Sequence, residues 1–210
     1  MKRIFFITGT DTGAGKTVLT VLLTRKLRGQ EVNAAALKPI CSGGRGDARK
    51  IFSANQRVLS LDEINPWHFK AAIAPSLAAR REGKKLKIVQ VIARVREMQK
   101  RFEVLLVEGA GGLLSPLGEK FNSRDLILQL DAAPIIVAPN RLGVVNHVLL
   151  TLEALPLNFR ARTRVVLLSF GRPDASSKSN PGLLAEFFDA KRIFAAGAPE
   201  CAGKLVEGLL

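Results

Sequence analysis

The segment 9–17, Gly-Thr-Asp-Thr-Gly-Ala-Gly-Lys-Thr, constrains the fold more than any other part of the sequence. It follows a β-branched and aromatic run at 3–7, which predicts a buried strand, and it precedes an apolar run at 18–27, which predicts a helix. A strand, a glycine-rich loop ending in Gly-Lys-Thr and a helix together predict a loop that binds nucleotide phosphates. The structural alternative is a glycine-rich turn with a surface lysine, and the flanking strand and helix argue against it.

The loop supplies both backbone and side-chain ligands to a nucleotide. Backbone N–H groups of Gly13, Ala14, Gly15, Lys16 and Thr17 are expected to surround a phosphate, aided by the partial positive charge of the helix N-terminus. Lys16 is expected to reach the β/γ-phosphates, and Thr17 to place its hydroxyl on Mg²⁺. The first glycine stands one place before its usual position, so the loop is one residue longer than the common form.

The spacing of the apolar runs along the chain predicts alternating strands and helices. This pattern predicts an α/β fold of the phosphate-loop NTPase type, with a mostly parallel sheet, helices on both faces and three layers. A chain of 210 residues is expected to form a single domain, residues 1–210. The predicted strands are 3–7, 33–39, 104–107, 133–138, 163–170 and 193–196, and the predicted helices are 15–28, 47–55, 75–81, 86–102, 123–130, 144–155, 181–190 and 199–210. We expect 59–75 to be irregular and 171–181 to be a mobile loop.

The composition is strongly basic, with a formal net charge of +14. The positive residues are spread along the chain, which favours a basic solvated surface, with nucleic-acid binding and attraction of anionic substrates as alternatives. The basic amphipathic helix at 86–102 is expected to cover the sheet rather than to bind a membrane. No run of about 20 apolar residues and no signal peptide is present, and Cys41 and Cys201 make no disulfide framework, so we expect a cytoplasmic protein.

A second acidic position stands at the end of another predicted strand. Glu108 ends the buried apolar run 104–107 and is followed by a glycine-rich segment that contains Gly109 and Gly111. A carboxylate in that position is expected on the Mg²⁺ side of a phosphate-loop enzyme, and the glycines let the backbone approach the ligand. Asp47 follows the glycine-rich segment 40–46, where ligands of open α/β sheets collect, although it could simply cap a helix.

Six short segments resemble, in combination and in order, the dethiobiotin synthetase family. They are Gly-Thr-Asp-Thr-x-x-Gly-Lys-Thr at 9–17, Lys-Pro-x-x-Ser-Gly at 38–43, Gly-Asp-Ala at 46–48, Asn-Pro-x-x-Phe at 65–69, Val-Glu-Gly-Ala-Gly-Gly at 107–112 and Leu-Gly-x-x-Asn-His at 142–147. They cover roughly the first 150 residues. The longer phosphate loop is also a feature of this family.

The resemblance implies a ligase of biotin biosynthesis that uses ATP and Mg²⁺. Its substrates are 7,8-diaminopelargonate and CO₂ or bicarbonate, and no nucleic acid or membrane is involved. One amine takes up CO₂ as a carbamate, the carbamate attacks the γ-phosphate of ATP, and the second amine closes the ring and expels phosphate. Such chemistry depends on positioning and on charge stabilisation.

The resemblance also implies roles for particular residues. Lys38 is expected to contact the carbamate and the γ-phosphate, and Thr12 and Ser42 to hydrogen-bond the diamine or the carbamate. The residues implied to act in catalysis are Lys16, Lys38, Thr12 and Ser42. Those implied to hold Mg²⁺ are Thr17, Asp47 and Glu108, and Glu108, Gly109 and Gly111 join the phosphate loop in binding the nucleotide.

The family is homodimeric, with active sites at the interface. The carboxylate of the substrate is expected to meet a helix start from the partner subunit, at Gly143, Val144, Val145 and Asn146. Free N–H groups at a helix start suit a carboxylate.

The sequence departs from the family pattern in two places. Gly13 stands where some members have a Glu, and the residues after the strand 163–170 lack the Asn that reads the adenine, which leaves the base preference open. The alternative functions are a related phosphate-loop amidoligase and a partition-type ATPase that binds nucleic acid or membrane. The partition class has an additional lysine near the loop start, where this chain has Thr10 and Asp11.

Overall fold

The centre of the fold is a six-stranded sheet in which all neighbouring strands are parallel. The computed structural model describes residues 3–172 and 174–209. The strands are β1 (Arg3–Gly9), β2 (Ala34–Leu37), β3 (Ile40–Ser42), β4 (Trp67–Phe69), β5 (Val104–Glu108), β6 (Pro116–Gly118), β7 (Phe121–Asn122), β8 (Ala133–Pro139), β9 (Arg164–Leu168) and β10 (Ile193–Ala196). The central sheet has the order β10-β9-β8-β1-β5-β2, and two small sheets pair β3 with β4 and β6 with β7. The prediction of a mostly parallel sheet is confirmed.

Helices cover both faces of the central sheet. They are α1 (Lys16–Gly29), α2 (Gly46–Ala54), α3 (Leu61–Ile64), α4 (Pro75–Arg81), α5 (Ile88–Gln99), α6 (Ser123–Leu130), α7 (Val144–Glu153), α8 (Leu157–Arg160), α9 (Ala175–Ala185) and α10 (Ala198–Leu209). All residues of β2 and β5 are buried although successive side chains point to opposite faces of a strand, so neither face is open to solvent. The predicted three-layer α/β fold is therefore confirmed. In the described ranges no helix is both long and apolar enough to cross a membrane.

The basic helix α5 lies against the sheet, as predicted. It buries Val91, Val95 and Met98 and contacts β5, while Lys100 beyond its end is exposed. Its apolar residues recur at helical spacing and form one buried stripe, which is the ordinary design of a helix that covers a sheet.

The predicted mobile loop at 171–181 is wrong for residues 175–181, which are helical, and the predicted helix at 181–190 is confirmed only over 181–185. The helix α9 (Ala175–Ala185) begins six residues before the predicted helix and ends five residues before the predicted end. Asp174 starts it, because its side chain accepts a hydrogen bond from the Ser177 N–H at 2.7 Å. Of the predicted loop, Pro173 lies outside the described residues.

Pro181 is the reason that the sequence suggested a break. A proline inside a helix has no N–H to donate to the carbonyl four residues earlier, which is that of Ser177. Asn140 Nδ2 donates to the Ser177 carbonyl oxygen at 2.9 Å. A tertiary hydrogen bond thus replaces the one that Pro181 removes, and no local pattern announces it.

Other boundaries shift by a few residues. The segment predicted to be irregular, 59–75, contains α3 and β4. The strand predicted at 33–39 covers only Ala34–Leu37, and a separate strand begins at Ile40. The strand predicted at 163–170 ends at Leu168, and of the predicted terminal helix Leu210 lies outside the described residues.

The outer edge of β2, the last strand of the sheet, is satisfied by a side chain. Asn55 follows α2 and is fully buried. Its Oδ1 accepts from the Ala36 N–H at 2.8 Å, and its Nδ2 donates to the Ala36 carbonyl at 2.9 Å. The amide therefore pairs with Ala36 as another strand would, and it satisfies backbone groups that an edge strand otherwise leaves unpaired.

We predict that Asn55→Ala lowers the free energy of unfolding by about 3 kcal/mol, because it leaves a buried N–H and a buried carbonyl without partners. Urea unfolding followed by circular dichroism measures this change. Ser53→Ala, an exposed change on the same helix, is the matched control and should alter stability by no more than about 0.5 kcal/mol. Equal stability of the two variants would show that Asn55 does not hold the edge.

Candidate active site

The register of three strands brings the candidate residues to one edge of the sheet. Leu37 of β2 lies opposite Val107 of β5, and Ile7 of β1 lies opposite Glu108. Lys38, the residue after β2, therefore lies beside Glu108, the last residue of β5. The loop after β1 starts at the same edge, which is where ligands of parallel α/β sheets bind.

A lysine, two carboxylates and a hydroxyl form one cluster at this edge. Lys38 Nζ lies 2.5 Å from Glu108 Oε1 and 2.9 Å from Asp47 Oδ2. Thr17 Oγ1 donates to Glu108 Oε1 at 2.7 Å. The Lys38 and Glu108 side chains are 6% and 0% exposed, whereas that of Asp47 is 47% exposed. The cluster thus has a buried base and opens to solvent through Asp47.

Neighbouring charges keep Lys38 and Asp47 ionised. Burial lowers the pKa of Lys38, but the Glu108 and Asp47 carboxylates outweigh it and raise the pKa above its usual value. Burial likewise raises the pKa of Asp47, but the charge of Lys38 and the hydrogen bond from its ammonium leave that pKa below its usual value. The ammonium and the Asp47 carboxylate are therefore both charged near neutral pH.

A hydrogen bond from the Lys16 side chain links the two ends of the phosphate loop. The Lys16 ammonium donates to the Asp11 carbonyl at 2.9 Å. Burial, and then the nearby charge of Lys38, lower the pKa of Lys16 from 10.5 to about 8. Because α1 begins at Lys16, the N–H groups of its first turn have no partner within the helix. The loop therefore presents donors and a readily repositioned cation toward its concave side.

Gly15, just before α1, requires a conformation and a space that only glycine provides. Its φ is +96°, and a Cβ there would lie 2.6 Å from Leu168 Cδ1. Gly111, with φ of +71°, would place a Cβ 2.4 Å from Ser115 Oγ. These glycines bring the backbone close to its neighbours at both walls of the site.

The oxygen atoms of the cluster fit a hard divalent cation. Glu108 Oε2 is buried and has no hydrogen-bond partner, while Thr17 and Asp47 supply further oxygens beside it. Over the parts of the chain that the structure describes, no group of three or more His, Cys, Asp and Glu residues could form a fully protein-bound metal site. This donor set suits Mg²⁺, which takes one or two carboxylates and completes its shell with water and phosphate.

Lys16, Thr17, Lys38 and Asp47 line a cavity of about 650 Å³, whereas Ala14, Glu108 and Gly109 are not among its lining residues. Thr12, Gly13 and Ser42 line it, and so do Lys50 and Ser115, which the sequence did not single out. Ser42 Oγ donates to the Ile73 carbonyl at 2.6 Å, so its proton is committed and its oxygen is free to accept. Ser115 Oγ accepts from the Gly112 N–H at 2.9 Å and shapes the glycine-rich wall.

The predicted carboxylate-binding residues are not part of this cavity. Gly143 precedes α7 with φ of +85°, and the helix begins at Val144. A separate cavity of about 450 Å³ lies between the loop after β5, which contributes Leu114, and α7, which contributes His147. The predicted residues do not line this cavity either. Within one chain, the start of α7 is therefore not part of the cavity that contains Lys38 and the phosphate loop. His147 is exposed.

The fold and the loop define a phosphate-loop nucleotide-binding protein. Solved structures with this fold include the hydrogenase maturation factor HypB from Archaeoglobus fulgidus, at a TM-score of 0.59 and 14% identity, covering 99% of this chain and 88% of that one. A ParA family ATPase from Chlorobium tepidum matches at a TM-score of 0.55 and 15% identity, covering 100% and 93%. A family model described as an AAA domain matches residues 3–196.

Curated relatives narrow the class to a family. An ATP-dependent dethiobiotin synthetase from Anaeromyxobacter dehalogenans is 39% identical over 83% of this chain and 80% of its own length. One from Bacillus velezensis is 35% identical over 87% and 81%. The chain therefore belongs to the ATP-dependent dethiobiotin synthetase family, ligases of biotin biosynthesis, and the resemblance drawn from the motifs is confirmed.

We predict that Lys38→Met lowers the free energy of unfolding by about 3–5 kcal/mol, because it leaves the buried Glu108 carboxylate without its cation. The double variant Lys38→Met/Glu108→Gln should recover more than half of that loss, since the uncompensated charge is gone. Denaturant unfolding of the full double-mutant cycle measures the coupling.

Lys50→Met is the matched control for this cycle, because Lys50 lines the same cavity and is exposed. It should leave stability within about 0.5 kcal/mol of the parent protein. Additive losses in the double variant would contradict a direct coupling between Lys38 and Glu108.

Proposed function

We propose that this chain forms dethiobiotin from 7,8-diaminopelargonate, CO₂ and ATP, as a single-domain cytoplasmic enzyme. The observation that carries the proposal is the position of Lys38, held between Asp47 and Glu108 in the cavity that also contains the phosphate loop. A cation there can contact a γ-phosphate and an anionic nucleophile at the same time. Membership of the dethiobiotin synthetase family supports the choice of substrates.

The nucleotide is bound by the loop and by the cluster. Backbone N–H groups from Gly13 to Thr17 surround the phosphates. Gly109 and Gly111 join them in binding the nucleotide, and Gly111 is the one of the two that lines the cavity. Lys16 leaves the Asp11 carbonyl and binds the β/γ-phosphate oxygens, which favour its charged form. Thr17, Asp47 and Glu108 would hold Mg²⁺, which neutralises phosphate charge when bound. Glu108 and Asp47 can turn to the metal because Lys38 then has phosphate oxygens as partners.

The diamine is positioned by hydroxyl groups beside the γ-phosphate. Ser42 accepts a hydrogen bond from an amine, because its own proton is donated to Ile73. Thr12 lies at the cavity wall and contacts the amine or the carbamate. Gly13 offers no side chain at the reacting centre, so Lys38 and the hydroxyls are the protein groups that orient the nucleophile.

The reaction then proceeds in three steps. An amine adds to CO₂ and loses a proton to give a carbamate. A carbamate oxygen attacks the γ-phosphorus and releases ADP, and Lys16 and Lys38 stabilise the charge that moves between the phosphates. The second amine attacks the activated carbonyl carbon, expels phosphate and loses a proton, which closes the cyclic urea.

We propose that two chains form a homodimer in which each completes the other's site. Leu114 and Leu150 line the cavity beside α7 and are 54% and 61% exposed, so an apolar surface is open along this helix. A partner that covers this surface can place the helix start at Gly143, Val144, Val145 and Asn146 near the carboxylate tail of the substrate. The Val144 N–H already donates to the Arg141 carbonyl at 3.1 Å, so the N–H groups of the other three residues would bind the carboxylate. A single chain leaves that carboxylate without these donors.

The product assay tests the reaction. Purified protein with diaminopelargonate, bicarbonate, Mg²⁺ and ATP should yield the cyclic urea, detected by mass, and should release phosphate only when both the diamine and bicarbonate are present. Normal nucleotide binding without product would contradict the proposal. Phosphate release that depends on DNA or lipid, and that falls with salt, would instead indicate an ATPase switch.

Subunit complementation tests the shared site. Asn146→Asp should raise KM for the diamine about 10-fold with kcat nearly unchanged, because a carboxylate at the helix start repels the substrate carboxylate. Lys16→Ala should be inactive through loss of phosphate contacts. At diamine concentrations well below the KM of Asn146→Asp, mixing the two variants should return about a quarter of the sites to the wild-type KM, because half of randomly mixed dimers carry one intact site.

Asn146→Ala is the control for charge, and it should change KM less than Asn146→Asp does. Restored activity should appear only after the subunits have had time to exchange. Mixed dimers that form without any recovery would show that each site lies within a single chain.

A further inference from the structure

The layout of the sheet gives the direction in which a bound nucleotide extends. Lys38 and Glu108 lie at β2 and β5, on one side of β1 in the strand order, whereas β8 and β9 lie on the other side. The phosphate loop follows β1, between these two halves. A triphosphate with its γ end at Glu108 therefore points its nucleoside toward the carboxyl ends of β8 and β9.

An exposed aromatic ring stands at that end of the site. Phe170 lies just beyond the end of β9 and is 61% exposed. A Cβ built at Gly15 would lie 3.2 Å from Phe170 Cζ and 3.8 Å from Cε2, so the edge of the ring touches the phosphate loop. The ring is anchored at the loop while much of its surface stays open.

Two amide side chains nearby use their N–H groups within the protein. Asn140 Nδ2 donates to Ser169 Oγ at 3.3 Å and to the Ser177 carbonyl at 2.9 Å. Asn180 Nδ2 donates to Asn140 Oδ1 at 2.9 Å and to the Arg141 carbonyl at 3.0 Å. Both amides use their N–H donors to fasten α9 to β8 and β9, so neither amide nitrogen is free to read a base.

We propose that Phe170 is the platform on which the nucleotide base stacks, and that this chain holds the base by stacking rather than by reading its hydrogen-bonding edge. This inference rests on the proposed use of ATP. Stacking on an aromatic ring accepts any base, because every base has a π-face. Adenine and guanine nucleotides are therefore bound with similar affinity.

Calorimetric titration of the full-length protein with Mg²⁺ and ADP, GDP or inorganic tripolyphosphate tests the proposal. Phe170→Ala should weaken ADP and GDP binding about 10-fold or more, and should leave tripolyphosphate, which has no base, within about 2-fold. Phe170→Trp should restore nucleotide binding. Wild-type protein should bind ADP and GDP within about 10-fold of each other.

Phe187→Ala is the matched control, because Phe187 is a similarly exposed phenylalanine beyond the end of α9, at 64%. It should change none of the three affinities. Unchanged ADP binding in Phe170→Ala, equal losses for ADP and tripolyphosphate, or a wild-type preference above about 10-fold for ADP over GDP would each overturn the proposal. The assay contains neither diamine nor bicarbonate, so its result does not depend on the ring-closing reaction.

Discussion

The buried ion pair between Lys38 and Glu108 is the interaction on which the site depends. It joins the ends of β2 and β5 at 2.5 Å, and it draws in Thr17 from α1 and Asp47 from α2. Four separate elements are thereby fixed at one point of the sheet edge. Since a buried charge without its partner is strongly unfavourable, this geometry is enforced by the same charges that the proposed reaction would use.

The cluster also explains how the site can respond to its ligands. Lys16 is held by the Asp11 carbonyl and Lys38 by two carboxylates, so both cations have substitute partners inside the protein. Phosphate oxygens can replace those partners, and the carboxylates can then turn to Mg²⁺. The proposed reaction thus begins with an exchange of ion pairs rather than with a large movement of the chain.

Local sequence patterns predicted the sheet, the phosphate loop and most helices, because strand and helix periodicity are local and the Gly-Lys-Thr context is specific. They failed at α9, where the Asn140 side chain compensates for Pro181. They also missed Asn55, whose role depends on the strand edge that it meets in space. Motif resemblance named the cluster residues, but only the strand register shows that Lys38 and Glu108 form a pair.

The central claim is that Lys38 and the phosphate loop bring a carbamate oxygen to the γ-phosphorus of ATP. Single-turnover reaction with ¹⁸O-labelled bicarbonate, followed by mass analysis of the released phosphate, tests this most directly. Attack by the carbamate transfers one labelled oxygen to phosphate when the ring closes. Phosphate that carries one ¹⁸O is the expected result, and dethiobiotin formed together with unlabelled phosphate would contradict the account.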